Sequence, residues 1–416
     1  MQNRPMLLLS GMVLAIMSAG ASAKEAGGAI PPAVLKFHES LVTLDTHLDT
    51  PARVAIDGWS IEDEHDVHRD YTQVDLPRMK KGGLDGGFWA IYTPQGPLDP
   101  DGIRKARDFG IQRALVIREM VAADPDNFVL ATTAEDAARI AGSGKRIVYM
   151  SMENAYPLGN DTSLVQLYYD MGVRLIGFAH FANNQFADSA TDPQGEHWGG
   201  LSPLGVQLLA EMNRLGIVPD ASHSSDKTLD DLLRLSKTPI ILSHSGCKAV
   251  YDHPRNIDDD HLRALAAKGG VIHMNAFGAY LRASKPNPER RKAFGALLAS
   301  MPEGGLTETQ HQEMTAKMRE IDKLYPDTDK PTFDDFMKHV LHALKVAGVD
   351  HVGIGLDWDG GGGVVGMEDV SALPRVTAAL LDAGYSKEDI ARIWSGNILR
   401  VLEENQRLAA TQINDF

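Results

Sequence analysis

Eight short apolar, β-branched runs alternate with longer helical patterns along this chain, and that order restricts the fold more than any other feature. The runs occupy residues 42–44, 87–92, 147–152, 175–178, 218–221, 240–243, 271–275 and 352–355. Helical patterns fill much of the space between them, over 101–123, 134–141, 202–215, 226–235 and 258–268. Ser202 with Pro203 makes an N-cap and first-turn pair, and Gly216 closes the same helix. Strands interleaved with helices specify a parallel α/β fold, and eight is the number that closes a (β/α)8 TIM barrel. An open doubly wound sheet is the alternative. Polar residues end many different strands, as at the C-terminal mouth of a barrel, and this favours closure. The stretch 276–330 interrupts the alternation. It is long, charged and helical in pattern, with Pro286, Pro288, Pro302 and Pro326 as punctuation. It reads as a helical excursion between the seventh and eighth strands, lying over the barrel mouth, with a surface elaboration of no functional part as the alternative.

The first residues bear on compartment. Arg4 precedes an apolar run over 6–19, and Ala21-Ser22-Ala23 supplies a small-x-small cleavage pattern. The expectation is a signal peptide over 1–23, export to the periplasm or medium, and one catalytic domain over 24–416. The run falls short of the roughly 20 residues that span a bilayer, so no membrane anchor is expected in the mature form. Cys247 is the only cysteine, which excludes an intrachain disulfide and leaves stability to the core. The formal charge of −15 argues against nucleic acid as a partner.

Several strand ends carry chemistry. In Asp45-Thr46-His47-Leu48-Asp49, residues two apart on a strand share a face, so His47 and Asp49 project together. An imidazole beside a carboxylate suits Zn²⁺, although such a pair alone is more often a simple hydrogen bond. Two apolar runs both end in Ser-His-Ser, at Ser222-His223-Ser224 and Ser243-His244-Ser245. On successive βα units in the same register these histidines would sit side by side. Glu153 follows the run 147–152 as a loop residue or an inward ligand, and a carboxylate can bridge two metal ions. Asp357 follows the last run within Gly353-Ile354-Gly355-Leu356-Asp357-Trp358-Asp359-Gly360, where it could act as a general base. Asp359 reads as a turn residue.

Taken together these segments resemble the membrane dipeptidase (renal dipeptidase) family of zinc peptidases, family M19, among the amidohydrolase-like barrels. The resemblance rests on Asp45-x-His47-x-Asp49, Glu153, Gly177-Phe178-Ala179-His180 with Asn183-Asn184 and Ala187-Asp188-Ser189, and Asp220-x-Ser222-His223. It continues through Ser243-His244-Ser245, Arg255-Asn256-Ile257, the 351–360 segment, Glu368-Asp369-Val370 and Gly396-Asn397-x-Leu399-Arg400-Val401. These motifs run in family order over nearly the whole chain.

The resemblance implies two zinc ions per chain. His47 and Asp49 would hold one, His223 and His244 the other, and Glu153 would bridge them. Asp357 would be the acid/base, His180 would polarise or position the scissile carbonyl, and Arg255 would hold the C-terminal carboxylate of a dipeptide substrate. Asn183 and Asp188 are candidates for supporting the site or shaping its loop. Zinc would bring the pKa of a bridging water from about 15.7 towards about 7, and the resulting hydroxide would attack the peptide bond. The family also implies tolerance of a D-residue at the C-terminal position and, in some members, β-lactam hydrolysis. A homodimer is compatible with the sequence.

The chain departs from the family at Thr46 and Leu48, where Gly and Asn are usual. Lys248 stands where relatives often carry an aromatic residue, and Phe186 replaces a frequent Trp. These changes bear on substrate preference rather than on the ligands. Two rival readings are another amidohydrolase-type hydrolase of lactones, amides or phosphotriesters, and a non-catalytic exported binding protein. The first would typically open with His-x-His, and the second has no need of Asp357.

Overall fold

The structure is a computed structural model that describes residues 29–285, 287–300 and 308–413. The expected signal segment, 1–23, lies outside the described residues. Eight parallel strands form one sheet in chain order: β1 (Leu44–Leu48), β2 (Gly86–Tyr92), β3 (Arg146–Glu153), β4 (Val173–Gly177), β5 (Val218–Asp220), β6 (Ile241–Cys247), β7 (Val271–Met274) and β8 (Val352–Ile354). The ends of the sheet meet. Leu48 bridges Trp358 in parallel, the Asp49 amide donates to the Trp358 carbonyl at 2.9 Å, and the Thr46 hydroxyl donates to the carbonyls of Ser243 and Ile354 at 2.6 and 3.2 Å. The fold is thus a (β/α)8 barrel, closed where the first strand meets the last. Thr46 is a polar pin between strands, which accounts for a hydroxyl where the family has glycine.

All eight expected strands are present. β1 is displaced along the chain from its expected run and shares only Leu44 with 42–44, because buried Asp45, Thr46 and His47 are polar residues inside a strand. Two short strands went unread: Phe128–Leu130, which pairs with β3, and Asn256–Ile257, which pairs with β6. The helices follow the pattern closely. Pro203–Leu215 starts at Ser202, whose hydroxyl accepts the Gly205 amide at 3.0 Å, and ends at Gly216 in the left-handed region. Asp258 and Ser225 cap Asp259–Ala267 and Asp226–Leu235 in the same way.

Two apolar layers hold the barrel. Trp89, Ile91, Val148 and Met150 join Ile117, Leu208, Leu232 and Val340 in the larger core that includes the surrounding helices. Near the strands' N-terminal ends, Leu44, Phe88, Leu175, Val218, Ile241 and Val271 pack with Ile398, Val401 and Leu402 of the last helix, Asn397–Ile413. The excursion after β7 holds the helices Gly278–Leu281, Pro288–Ala299 and Glu308–Leu324. It docks through Phe294, Leu297, Met314 and Met318 against Tyr71, whose hydroxyl donates to Asp322 at 2.6 Å. Arg290 pairs with the same Asp322. Among the described residues, no helix is long and apolar enough to cross a membrane.

Candidate active site

The C-terminal ends of the strands deliver the expected residues to one place. His47 lies within β1, Glu153 ends β3, and His244 lies inside β6. His180, His223 and Asp357 follow β4, β5 and β8 in the connecting loops. Glu153 is the hub. Its Oε2 is 3.4 Å from His47 Nε2, and its Oε1 is 3.1 Å from His223 Nε2, 3.4 Å from His244 Nε2 and 3.6 Å from His180 Nε2. Asp49 Oδ2 stands 3.5 Å from His47 Nε2 on the other side. The two histidines of the matching Ser-His-Ser segments face each other, with Nε2 atoms 2.8 Å apart. The His47 ring stacks on that of His244 at 3.8 Å.

Local backbone geometry makes this convergence possible. His223 and Asp357 adopt φ of 66° and 64°, a left-handed conformation that costs about 1–3 kcal/mol for a residue with a side chain. Gly360 is required by close approach, since a Cβ there would lie 2.0 Å from Asp49 Oδ2 and 2.4 Å from Asp357 Oδ1. Asp359 is more than a turn residue. Buried, it accepts the Thr50 hydroxyl and the Gln73 amide, both at 2.8 Å, and ties the β8 loop to the loop after β1.

The electrostatics sort the ring nitrogens. Burial, with Arg255 and neighbouring imidazoles adding to it, holds His180, His223 and His244 well below the usual imidazole range. They are neutral and keep lone pairs available. For His47, burial opposes protonation, but Glu153 and Asp49 outweigh it and hold its pKa well above the usual range. Burial raises Glu153 and pushes Asp357 up to about 8, with Asp49 and Glu153 adding to the latter shift.

The donor set fits divalent metal. His47 Nε2 is buried without a hydrogen-bond partner although it points between two carboxylates. Three overlapping groups, His47–Glu153–His244, Glu153–His180–His223 and His47–Asp49–Asp357, each bring ligand atoms within 4.8 Å of one another. Imidazoles and carboxylates crowded in this way are a set that a divalent ion completes, and an ion between Asp49 and Glu153 would take the place of the proton that they hold on His47.

Arg255 lies beside this cluster, just before Asn256–Ile257. Its Nη2 donates to the His244 carbonyl at 3.0 Å, its Nε is unpartnered, and it rests 5.3 Å from the Tyr280 ring centroid. Asp188 accepts the amides of His197, Trp198, Gly199 and Gly200 at 2.7–3.1 Å, and Asn183 accepts the Ser189 amide at 2.8 Å. Both therefore shape the loop that carries His180. Lys248 reaches Asp226 at 3.6 Å, and Phe186 is buried. Sequence reasoning passed over Tyr92, whose ring lies edge-on to His180 at 4.8 Å, and Asn275, whose amide lies 3.5 Å from Asp357 Oδ2. Each sits at or just past a strand end, which is the signal that could have marked it.

A parallel barrel with such a donor cluster at its mouth has the architecture of a metal-dependent hydrolase. The family description "Membrane dipeptidase (Peptidase family M19)" matches residues 33–415. The chain belongs to this family, and it is a hydrolase of the dipeptidase class. Dipeptidase tcpJ of Claviceps purpurea is 33% identical over 361 residues, covering 85% of this chain and 74% of that protein. The solved structure of the probable dipeptidase PvdM from Pseudomonas aeruginosa superposes with a TM-score of 0.76 at 32% identity, over 90% of this chain and 98% of that one. A metallopeptidase from Rhodobacter sphaeroides, liganded with a phosphinate mimic of the dipeptide L-Ala-D-Ala, gives 0.69 at 25% identity, over 87% and 99%.

Proposed function

We propose that this chain is an exported dipeptidase using two zinc ions, with His47 and Asp49 on one ion, His223 and His244 on the other, and Glu153 shared. The observation that carries the reading is the gathering of His47, His223 and His244 around the two oxygens of the buried Glu153. Bound there, a pair of zinc ions supplies Lewis acidity towards a carbonyl and lowers the pKa of water towards about 7. The chain's own groups do the rest.

Arg255 offers a buried planar fork, and its unpartnered Nε suits the C-terminal carboxylate of the substrate. Anchoring that carboxylate beside the cluster favours very short peptides. His180 steadies the scissile carbonyl as charge builds on its oxygen. Asp357, whose carboxylate lies with His47 and Asp49 in one of the donor groups, accepts a proton from the attacking water and passes it to the leaving amine. The ligand of the Rhodobacter sphaeroides metallopeptidase supports including L,D- with L,L-dipeptides as substrates. Arg4, the apolar run 6–19 and Ala21-Ser22-Ala23 support export.

The test combines elemental analysis with hydrolysis of an L,L- and L,D-dipeptide panel before and after chelation. The expected result is about two zinc per chain, as in two-metal sites generally, with cleavage lost on chelation and restored by zinc. Zinc without cleavage of any dipeptide would overturn the substrate assignment. A protein that neither holds nor takes up metal would overturn the whole reading.

A further inference from the structure

The two Ser-His-Ser segments look equivalent in sequence, but their histidines are held differently. His223 Nδ1 is buried without a partner. His244 Nδ1 lies 2.9 Å from Ser243 Oγ, and Ser243 Oγ lies 2.5 Å from Asp220 Oδ2. Asp220, Ser222, Ser243 and His244 are all buried. Asp220 is braced as well, since its Oδ1 accepts the amides of Ser222 and Ser243, each at 2.9 Å. Ser222 Oγ accepts the His244 amide at 3.0 Å. A carboxylate, a hydroxyl and an imidazole therefore form a fixed line from the end of β5 into β6.

Proton counting gives the line a direction. A carboxylate can only accept, so the single Ser243 hydroxyl hydrogen goes to Asp220. Ser243 Oγ then offers His244 only lone pairs, and His244 Nδ1 must carry the proton. In a neutral imidazole that leaves Nε2 bare. This bare Nε2 is the atom that faces His223 Nε2 at 2.8 Å and Glu153 Oε1 at 3.4 Å. Three atoms that can each present a lone pair converge there, as a cation requires.

We infer that Asp220 and Ser243 are positioning residues that lock His244 in the Nδ1–H tautomer and so present Nε2 as a ready metal ligand. The inference rests on the metal reading above. Partners of this kind behind a ligating histidine fix its tautomer and orientation, and losing one costs roughly 10–100-fold in metal affinity. His223 has no such support, so tautomer control falls on one of the two facing histidines.

Two substitutions separate polarity from packing. Ser243→Ala removes the link and leaves the backbone bonds to Asp220 intact. Asp220→Asn can turn the line around, because an amide NH₂ would donate to Ser243, whose hydroxyl would then donate to His244 Nδ1 and place the proton on Nε2. The readouts are zinc affinity by competition with a chromophoric chelator, the visible spectrum of the cobalt-substituted protein, and ¹⁵N NMR of histidine-labelled, metal-free protein. Thermal melts identify any variant that fails to fold.

We expect Ser243→Ala to bind zinc about 10–100-fold more weakly, Asp220→Asn more weakly still, and Ser243→Thr to restore affinity by keeping the hydroxyl. The ¹⁵N spectrum of the unchanged protein should show a buried Nδ1–H histidine that becomes a tautomer mixture in Ser243→Ala. Folded Ser243→Ala with unchanged zinc affinity, cobalt spectrum and tautomer would overturn the inference while leaving the zinc reading intact. Unchanged protein that binds no metal would overturn the zinc reading, and the NMR result would still decide the tautomer.

Discussion

The two ends of the barrel resolve the same backbone problem with different residues. Where the strands begin, left-handed backbone falls on glycine: Gly83 and Gly86 at the entry to β2, then Gly144, Gly172, Gly216, Gly269 and Gly348 ahead of later strands. Polar side chains there close backbone carbonyls. Asn397 Nδ2 reaches Val349 and Val352 at 2.7 and 2.8 Å, Arg400 reaches Gly269 at 2.8 Å, and Arg146 reaches Leu84 at 2.7 Å. Where the strands end, left-handed backbone also falls on Tyr71, Asn154, His223, Asp357 and Asp359. His47 Nε2, His223 Nδ1 and Arg255 Nε are buried there without hydrogen-bond partners. At one end conformation decided the residue. At the other, chemistry decided it, and the backbone carries the strain.

Substitutions at the two ends should therefore fail differently. The largest effect is expected from Asp357→Asn, which keeps the shape and removes the carboxylate proposed to carry the proton. Steady-state kinetics should show kcat/KM lower by about 10³-fold, or about 4 kcal/mol, with no loss of melting temperature. Near-normal turnover in this variant would break the contrast at its strongest point. Gly360→Ala comes next, because its Cβ would press on Asp49 and Asp357. Displacing reacting groups by about 1 Å can cost about 10²-fold, so we expect a loss of that size in kcat with only a modest change in stability.

The opposite behaviour is expected at the strand-start end. Asn397→Ala removes the donor to the buried Val352 carbonyl and to the half-buried Val349 carbonyl, and denaturant titration should show a loss of about 2 kcal/mol with kcat/KM unchanged. The smallest effect is expected for Gly216→Ala, which forces a side chain into φ 75° against Gln406 and Asn405. About 1–2 kcal/mol of stability should go, again without kinetic change. A marked kinetic defect in either variant would show that the two ends are coupled.

What the sequence disclosed follows the same division. Strands buried on both faces read as continuous apolar runs, so all eight were legible, and the helix cap at Ser202 was explicit. β1 was misjudged at its C-terminal side because Asp45, Thr46 and His47 are polar residues buried by the site itself. The metal-ligand candidates could be named from strand-end position and family resemblance. Their partners could not. That Asp220 meets Ser243, that Thr46 pins β1 to β8, or that Asp359 ties two loops depends on contacts between residues far apart in the chain. No periodicity encodes such pairings. The two Ser-His-Ser segments are the sharpest case, alike in letters and different in support.

The seam between β1 and β8 bears on how the protein is made. The Asp45 carboxylate waits for the Leu356 amide, 311 positions later, to be joined at 3.1 Å. During synthesis His47 and Asp49 emerge early, while the strand that walls them in is among the last to appear. A stalled or clipped chain ending before residue 352 has neither the closing strand nor Asp357, so the barrel mouth is complete only once that last stretch has been made.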